Sequence, residues 1–188
     1  MRLLLPLALA LLPVTGCSGG GNGSDSAAAN VSTGGATSNA KLAALVAGDG
    51  ELERVNRMIG NAGMGDLLDG VGPYTLFAPT NSALEGLGEG RADGLAGEEM
   101  RPQAAALLRA HMVPGTLTRR DLAAAIETAG GKPVRMRTMA DTMLAFTKEG
   151  DAIAVASEDG ARARLTGQEG IGANGALQPI DGVLRRIR

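Results

Sequence analysis

The stretch TLFAPTNSAL, residues Thr75 to Leu84, gives the backbone two different instructions in succession. Tyr74 to Ala78 is a short β-prone run, and Pro79, which has no N–H to donate to a ladder, stops it. Thr80, Asn81 and Ser82 then offer the short side-chain oxygens that accept orphan N–H groups at a helix start. Leu84 and Leu87 follow at helical spacing. The segment reads as a strand, a turn and a short helix.

Upstream of it the pattern is helical. Asn39 or Ser38 is placed to cap a helix through Ala40, Leu42, Leu45 and Val46 that ends at Gly48-Asp49-Gly50. A second helix puts Leu52, Val55, Met58 and Ile59 on one face, with Glu51, Glu53, Arg54 and Arg57 outside it. Met64, Leu67 and Leu68 extend the apolar surface up to the breakers Gly70 to Pro73. Downstream, Glu98 to His111 is an Ala- and Leu-rich helix with Ala104, Leu107, Leu108 and His111 on one side, and Met112 to Gly115 turns out of it. Thr118 with Asp121 forms a capping box that opens a helix over Leu122, Ala125 and Ile126, ended by Gly130-Gly131.

Beyond Lys132 the period changes from helical to two-residue. Val134, Met136 and Thr138 alternate with Arg135 and Arg137, and Met143 to Thr147, Ile153 to Val155, Ala161 to Thr166 and Val183 to Ile187 are further β-prone runs. Glu149-Gly150-Asp151 and Glu158-Asp159-Gly160 separate them as hairpin loops. These spacings suit an antiparallel sheet. Helices early and strands late make an α+β domain over residues 39–188.

Three segments in this order carry a family resemblance: TLFAPTNSAL; LLRAHMVPG, Leu107 to Gly115; and ANGALQPIDGVL, Ala173 to Leu184. They resemble the two signature segments and the central histidine segment of fasciclin (FAS1) domains. The matching positions are Thr75, Phe77, Pro79, Thr80, Asn81, His111, Pro114, Gly115, Asn174, Gly175 and Asp181. The resemblance implies a wedge or sandwich of about seven strands with several helices packed on one side. It also implies adhesion or extracellular protein and matrix binding rather than turnover. Three positions depart from the family: Ala110 stands where Tyr often precedes the His, Leu84 replaces the usual Phe, and Gln178 replaces a common His. An adhesive role tied to that Tyr therefore does not carry over.

The whole chain has 188 residues, 44% hydrophobic and 20% charged, as a globular protein does and a disordered one does not. Its 29 glycines, 8 methionines, single Tyr, two Phe and absent Trp imply a core of small aliphatic contacts and no aromatic stacking site. With a formal net charge of −2 and basic residues clustered no further than pairs such as Arg119-Arg120 and Arg185-Arg186, nucleic-acid binding is disfavoured.

The first residues read differently. Met1-Arg2 gives a positive start and Leu3 to Val14 an apolar run too short for a spanning helix, which needs about 20 residues. VTGC, Val14 to Cys17, looks like a lipobox. Residues 1–16 are then a lipoprotein signal peptide, and Cys17, the chain's only cysteine, carries the lipid that holds the protein to a membrane. Residues 17–38 form a Gly/Ser-rich flexible tether. Ser18 after the cysteine favours the outer membrane if the organism is Gram-negative.

No catalytic set is expected. His111 is the only histidine, and no Gly-x-Ser-x-Gly elbow accompanies it; the resemblance implies a buried hydrogen-bonding residue between helix and strand. Thr80, Asn81 and Ser82 read as helix caps and Asp181 as a turn or pairing residue. One histidine and an acylated cysteine leave no zinc set, no EF-hand spacing occurs, and Gly167 to Gly175 lacks a phosphate-loop Lys. No cofactor is expected. The favoured function is a non-catalytic, envelope-anchored adhesion or protein-interaction module. The alternatives are a periplasmic accessory or ligand-binding lipoprotein and, less favoured, an envelope hydrolase using Ser82 or Ser157 with His111.

Overall fold

In the computed structural model, which describes residues 38–88 and 90–186, the strand-to-helix switch at Thr75–Leu84 lies between two cores. The chain runs α1 (Leu42–Ala47), a 3-10 turn (Gly50–Leu52), α2 (Glu53–Asn61), α3 (Gly65–Leu68), β1 (Tyr74–Pro79), α4 (Asn81–Glu85) and α5 (Arg91–Leu95). It continues through a second 3-10 turn (Glu98–Met100), α6 (Arg101–Ala110), β2 (Met112–Pro114), α7 (Arg119–Thr128), β3 (Val134–Arg137) and β4 (Met143–Glu149). The last strands are β5 (Ala152–Ser157), β6 (Arg162–Arg164), β7 (Gly170–Gly172) and β8 (Gly175–Ile180). The expectations for the leader 1–16, for Cys17 and for the tether up to residue 37 lie outside the described residues.

The eight strands among the described residues form two sheets, β2-β1-β8-β7 and β3-β4-β5-β6. Successive side chains of β1 point to opposite faces of the first sheet, and both faces are covered. Leu76 and Ala78 enter a core shared with α1 to α6, while Phe77 enters a second core between the two sheets and α7. There Phe77 meets Phe146, the chain's other Phe, with ring centroids 5.1 Å apart and planes tilted by 41°. The α+β architecture is as expected, with one refinement: α7 packs through Leu122 and Ile126 in the core of the second sheet, away from the other helices.

Several local expectations are corrected. The antiparallel sheet expected of the late runs is present as β3-β4-β5-β6, but in the first sheet β1 pairs with β8 in parallel from Tyr74↔Gly175 to Pro79↔Ile180. Met112 to Pro114, read as a turn, is an edge strand on β1, its pairing running from Leu76↔Met112 to Tyr74↔Pro114. Gly170 to Gly172, within a glycine-rich stretch for which no strand was expected, is a strand through its pairing with β8. Conversely, Val183 to Arg186 form no strand, and Ile187 lies outside the described residues. Their backbone N–H groups are taken by side chains: His111 holds Leu184 N and Asp159 holds Arg186 N.

The caps also differ from expectation. The residue before α1 is Lys41, and neither Asn39 nor Ser38 caps the helix; Ser38 accepts the N–H of Ala40. Asn174 Oδ1 takes the first N–H of α1, that of Leu42, at 2.8 Å. Thr80 caps α4 by accepting from Ala83 N, as expected, but Asn81 reaches away to accept the N–H of Arg54 in the first turn of α2. The capping box Thr118–Asp121 at α7 is present in both directions.

Candidate functional site

The three quoted segments meet in the first sheet, since β1 lies between β2 and β8. Thr75 joins two of them: its hydroxyl donates to Gly115 O at 2.7 Å and accepts from Leu117 N at 2.8 Å. Gly115 takes a left-handed φ of 101° and gives its N–H to Pro73 O, which lets the chain leave β2 beside exposed Pro114. Gly175 is required by contact, because a Cβ there would overlap the carbonyl oxygen of Tyr74 across the parallel pair. Asn174 donates to Leu68 O at 2.7 Å and Gly70 O at 2.8 Å besides capping α1. Asp181 accepts from Arg164 N at 2.6 Å and so ties the end of β8 to β6. Phe77 and Pro79 complete β1. These residues form a scaffold.

His111, at the end of α6, is 0% exposed. Its Nδ1 lies 2.8 Å from Leu107 O, and its Nε2 accepts the Leu184 N–H at 2.9 Å. A carbonyl can only accept and an amide N–H can only donate, so the ring is the neutral tautomer with its proton on Nδ1. Burial pushes its pKa down to about 4 and Arg185 adds to that, against the opposing Leu107 bond and the Asp159 charge. With the Nε2 lone pair already committed to the backbone, the ring has no free base to offer. The serines considered as its partners are elsewhere engaged or exposed: Ser157 Oγ donates to Asp159, and Ser82 faces solvent on α4.

Gly182, Val183, Arg185 and Arg186, in the segment held by His111 and Asp159, form one wall of an open groove of about 1240 Å³. Leu87, Leu95, Leu107 and Val183 make its apolar lining, and Gln103, Asp159, Arg185 and Arg186 bring polar groups to it. Asp159 is held below the usual carboxylate range; burial opposes this, and the hydrogen bonds from Ser157, Arg186 N and Ala161 N outweigh it. An ionised acid beside two guanidinium groups suits recognition of a polar or charged ligand. It supplies no proton near neutral pH.

The sequence model of the Fasciclin domain matches residues 50–186. This chain belongs to the fasciclin family. Its fasciclin domain is similar to a solved FAS1 domain pair from the insect cell adhesion molecule fasciclin I, with a TM-score of 0.66 and 16% sequence identity. The similarity covers 78% of this chain and 51% of that one, so the chain spans about half the length of that relative. At this identity the likeness concerns the fold. No curated protein matches the chain.

One buried polar cluster of the fasciclin domain escaped sequence reasoning. Gln178, 0% exposed in β8, donates to Leu117 O at 3.0 Å and Glu169 Oε2 at 2.9 Å, and accepts from Arg119 Nε at 3.1 Å. Arg119 also donates to Gly167 O at 3.0 Å and to Thr166 O, while its backbone N–H, at the start of α7, bonds to Glu169 Oε2 at 2.9 Å. Burial lowers the Arg119 pKa and Glu169 opposes the shift. A glutamine inside an otherwise apolar strand was the available signal. Among the described residues no group of three His, Cys, Asp or Glu side chains is arranged to hold a metal, and no helix is long and apolar enough to cross a membrane.

Proposed function

We infer that this protein is a non-catalytic adhesion or protein-interaction module, lipidated at Cys17 and displayed from the envelope on its Gly/Ser-rich tether. The observation that carries the non-catalytic half is the sole histidine, closed on both ring nitrogens by main-chain partners. Family membership supports the binding half, and the insect relative is a cell adhesion molecule. The VTGC sequence supports the anchor, and Ser18 favours the outer membrane in a Gram-negative cell.

Protease treatment of intact cells, with Cys17→Ser beside wild type, tests this reading. Digestion of the wild-type domain from outside, together with release of the variant from membranes, is the expected result. Protection until the envelope is opened would replace adhesion by a periplasmic ligand-binding role, which the groove beside Arg185 and Arg186 favours. Reproducible hydrolase turnover abolished by His111→Ala, in protein that stays folded, would overturn the non-catalytic reading.

A further inference from the structure

The second sheet buries one face against α7 and leaves the other open. On the open face the register aligns Arg135, Ala145, Ala156 and Arg162 in one row across all four strands. The next row is Thr147, Ala154 and Arg164, and Arg137 stands opposite Met143. Short side chains thus line the two central strands and guanidinium groups line both edge strands. The alanine-floored side is a concavity of about 540 Å³ lined by Arg162 and Arg164 together with Glu149 and Asp181, and Arg135 stands outside it at the far end of the row. With strands about 4.8 Å apart, the walls at Arg135 and Arg162 stand roughly 14 Å from each other.

This arrangement runs against local preference, since alanine is a poor strand former and gains nothing on an exposed face where Thr or Val would be favoured. Such departures mark sites where something other than folding is served. Among the described residues Arg135 and Arg162 have no ion-pair or hydrogen-bond partner for their side chains. The nearby acids are engaged: Glu149 accepts from Arg164 at 3.0 and 3.1 Å, Asp181 accepts from Arg164 N, and Asp141 pairs with Arg137 at 3.4 Å. Charge is also divided along the chain. Residues 38–100 hold ten acids and four bases, whereas residues 101–188 hold nine acids and thirteen bases. A cationic face on an acidic protein selects an anionic partner by orientation as well as by charge.

We propose that this open face binds an extended acidic polysaccharide, a chain bearing carboxylate or sulfate groups, laid across the alanine floor between the arginine walls. Arginine forks match both anions bidentately. The free Thr147 hydroxyl on the floor meets sugar hydroxyls. A peptide is disfavoured because the face, unlike a sheet edge, offers no backbone partners for its amides. Single-stranded nucleic acid is disfavoured by the absence of aromatic rings on the face. The proposal rests on the reading of the protein as a binding module and names the partner.

The test uses the purified full chain and polygalacturonate at low salt, with neutral dextran, poly-glutamate, DNA and anionic phosphatidylglycerol vesicles beside it. The expected result is salt-sensitive binding to polygalacturonate that weakens about tenfold or more in the paired variant Arg135→Ala/Arg162→Ala. Ala156→Glu, which places an anion on the floor and leaves the arginines in place, should weaken it as well. The pair Arg101→Ala/Arg120→Ala, exposed arginines of α6 and α7, should leave it unchanged. Absence of binding, equal loss in the control pair, or equal affinity for poly-glutamate, DNA or vesicles would overturn the proposal. Because no cell is involved, a negative result leaves the protease-accessibility test of envelope display standing.

Discussion

Asn174 Oδ1 accepts the backbone N–H of Leu42 at 2.8 Å, so the helix that opens the domain is capped from 132 residues further along the chain. The same carboxamide donates to Leu68 O and Gly70 O, which fixes the end of α3 to the β7–β8 turn. Three backbone groups from two separate segments depend on one side chain.

Replacing Asn174 by Ala should therefore cost about 3 kcal/mol, more than an ordinary cap, because buried carbonyls and an N–H lose their partner at once. Asn174→Asp keeps the accepting oxygen but loses both donors and sets a carboxylate against two carbonyl oxygens, so it should fare no better. Urea denaturation checks this through a lower midpoint at unchanged slope.

His111 makes stability depend on acid. Its pKa is lowered from 6.5 to about 4 in the folded protein, so the unfolded chain binds the proton more readily between those values. Stability from this group is complete above about pH 6.5, falls as pH drops towards 4, and levels off below that. The loss amounts to about 3 kcal/mol. Denaturation at a series of pH values should show this slope in wild type, and His111→Gln should remove this group's share while lowering stability throughout.

The parts legible in the sequence were those set by local period and local caps. The α7 box at Thr118–Asp121, the buried face Leu52, Val55, Met58 and Ile59, the alternation of β3 and the β-prone runs of β4 and β5 all read correctly because neighbours in sequence decide them. What failed was decided at long range. β7 is Gly-Ile-Gly, a single strand former between two strand-weakening glycines, and exists because β8 pairs with it. The pattern after Gly182 looks like a strand, but His111 and Asp159 capture its N–H groups. At the candidate site, the fasciclin resemblance implied that His111 is buried; nothing local foretold Leu184 N as its partner. α5, Arg-Ala-Asp-Gly-Leu, held no helical period long enough to notice.

Phe77 and Phe146 join the two sheets with 5.1 Å between ring centroids. Besides the two Phe the chain has one Tyr, packed against the first core, and no Trp, so no other large ring closes the gap if one is lost. Phe146→Ala should cost about 4 kcal/mol, combining lost burial with an unfilled cavity, and Phe146→Leu markedly less. Thermal unfolding of the two variants separates the outcomes, and equal, small losses would mean that the sheets can close onto the space.

Arg119 and Gln178 give the last test, since their contact bridges the start of α7 to β8. Gln178→Leu removes the partner of Leu117 O and leaves a half-buried guanidinium short of one acceptor, so it should destabilise by about 2 kcal/mol. Arg119→Ala loses bonds to the carbonyls of Thr166 and Gly167 as well, and should cost at least as much. If the two residues act as one cluster, the double variant should fall short of the sum by about 1 kcal/mol, measured in a double-mutant cycle at neutral pH. Strict additivity would mean that each side chain serves its own backbone partners and that their mutual bond contributes nothing measurable. Glu169 distinguishes the two cases further, because it accepts from Gln178 and from Arg119 N together. Glu169→Gln keeps the shape of the site while removing the charge that supports Arg119, so it should weaken the coupling between the other two rather than abolish it.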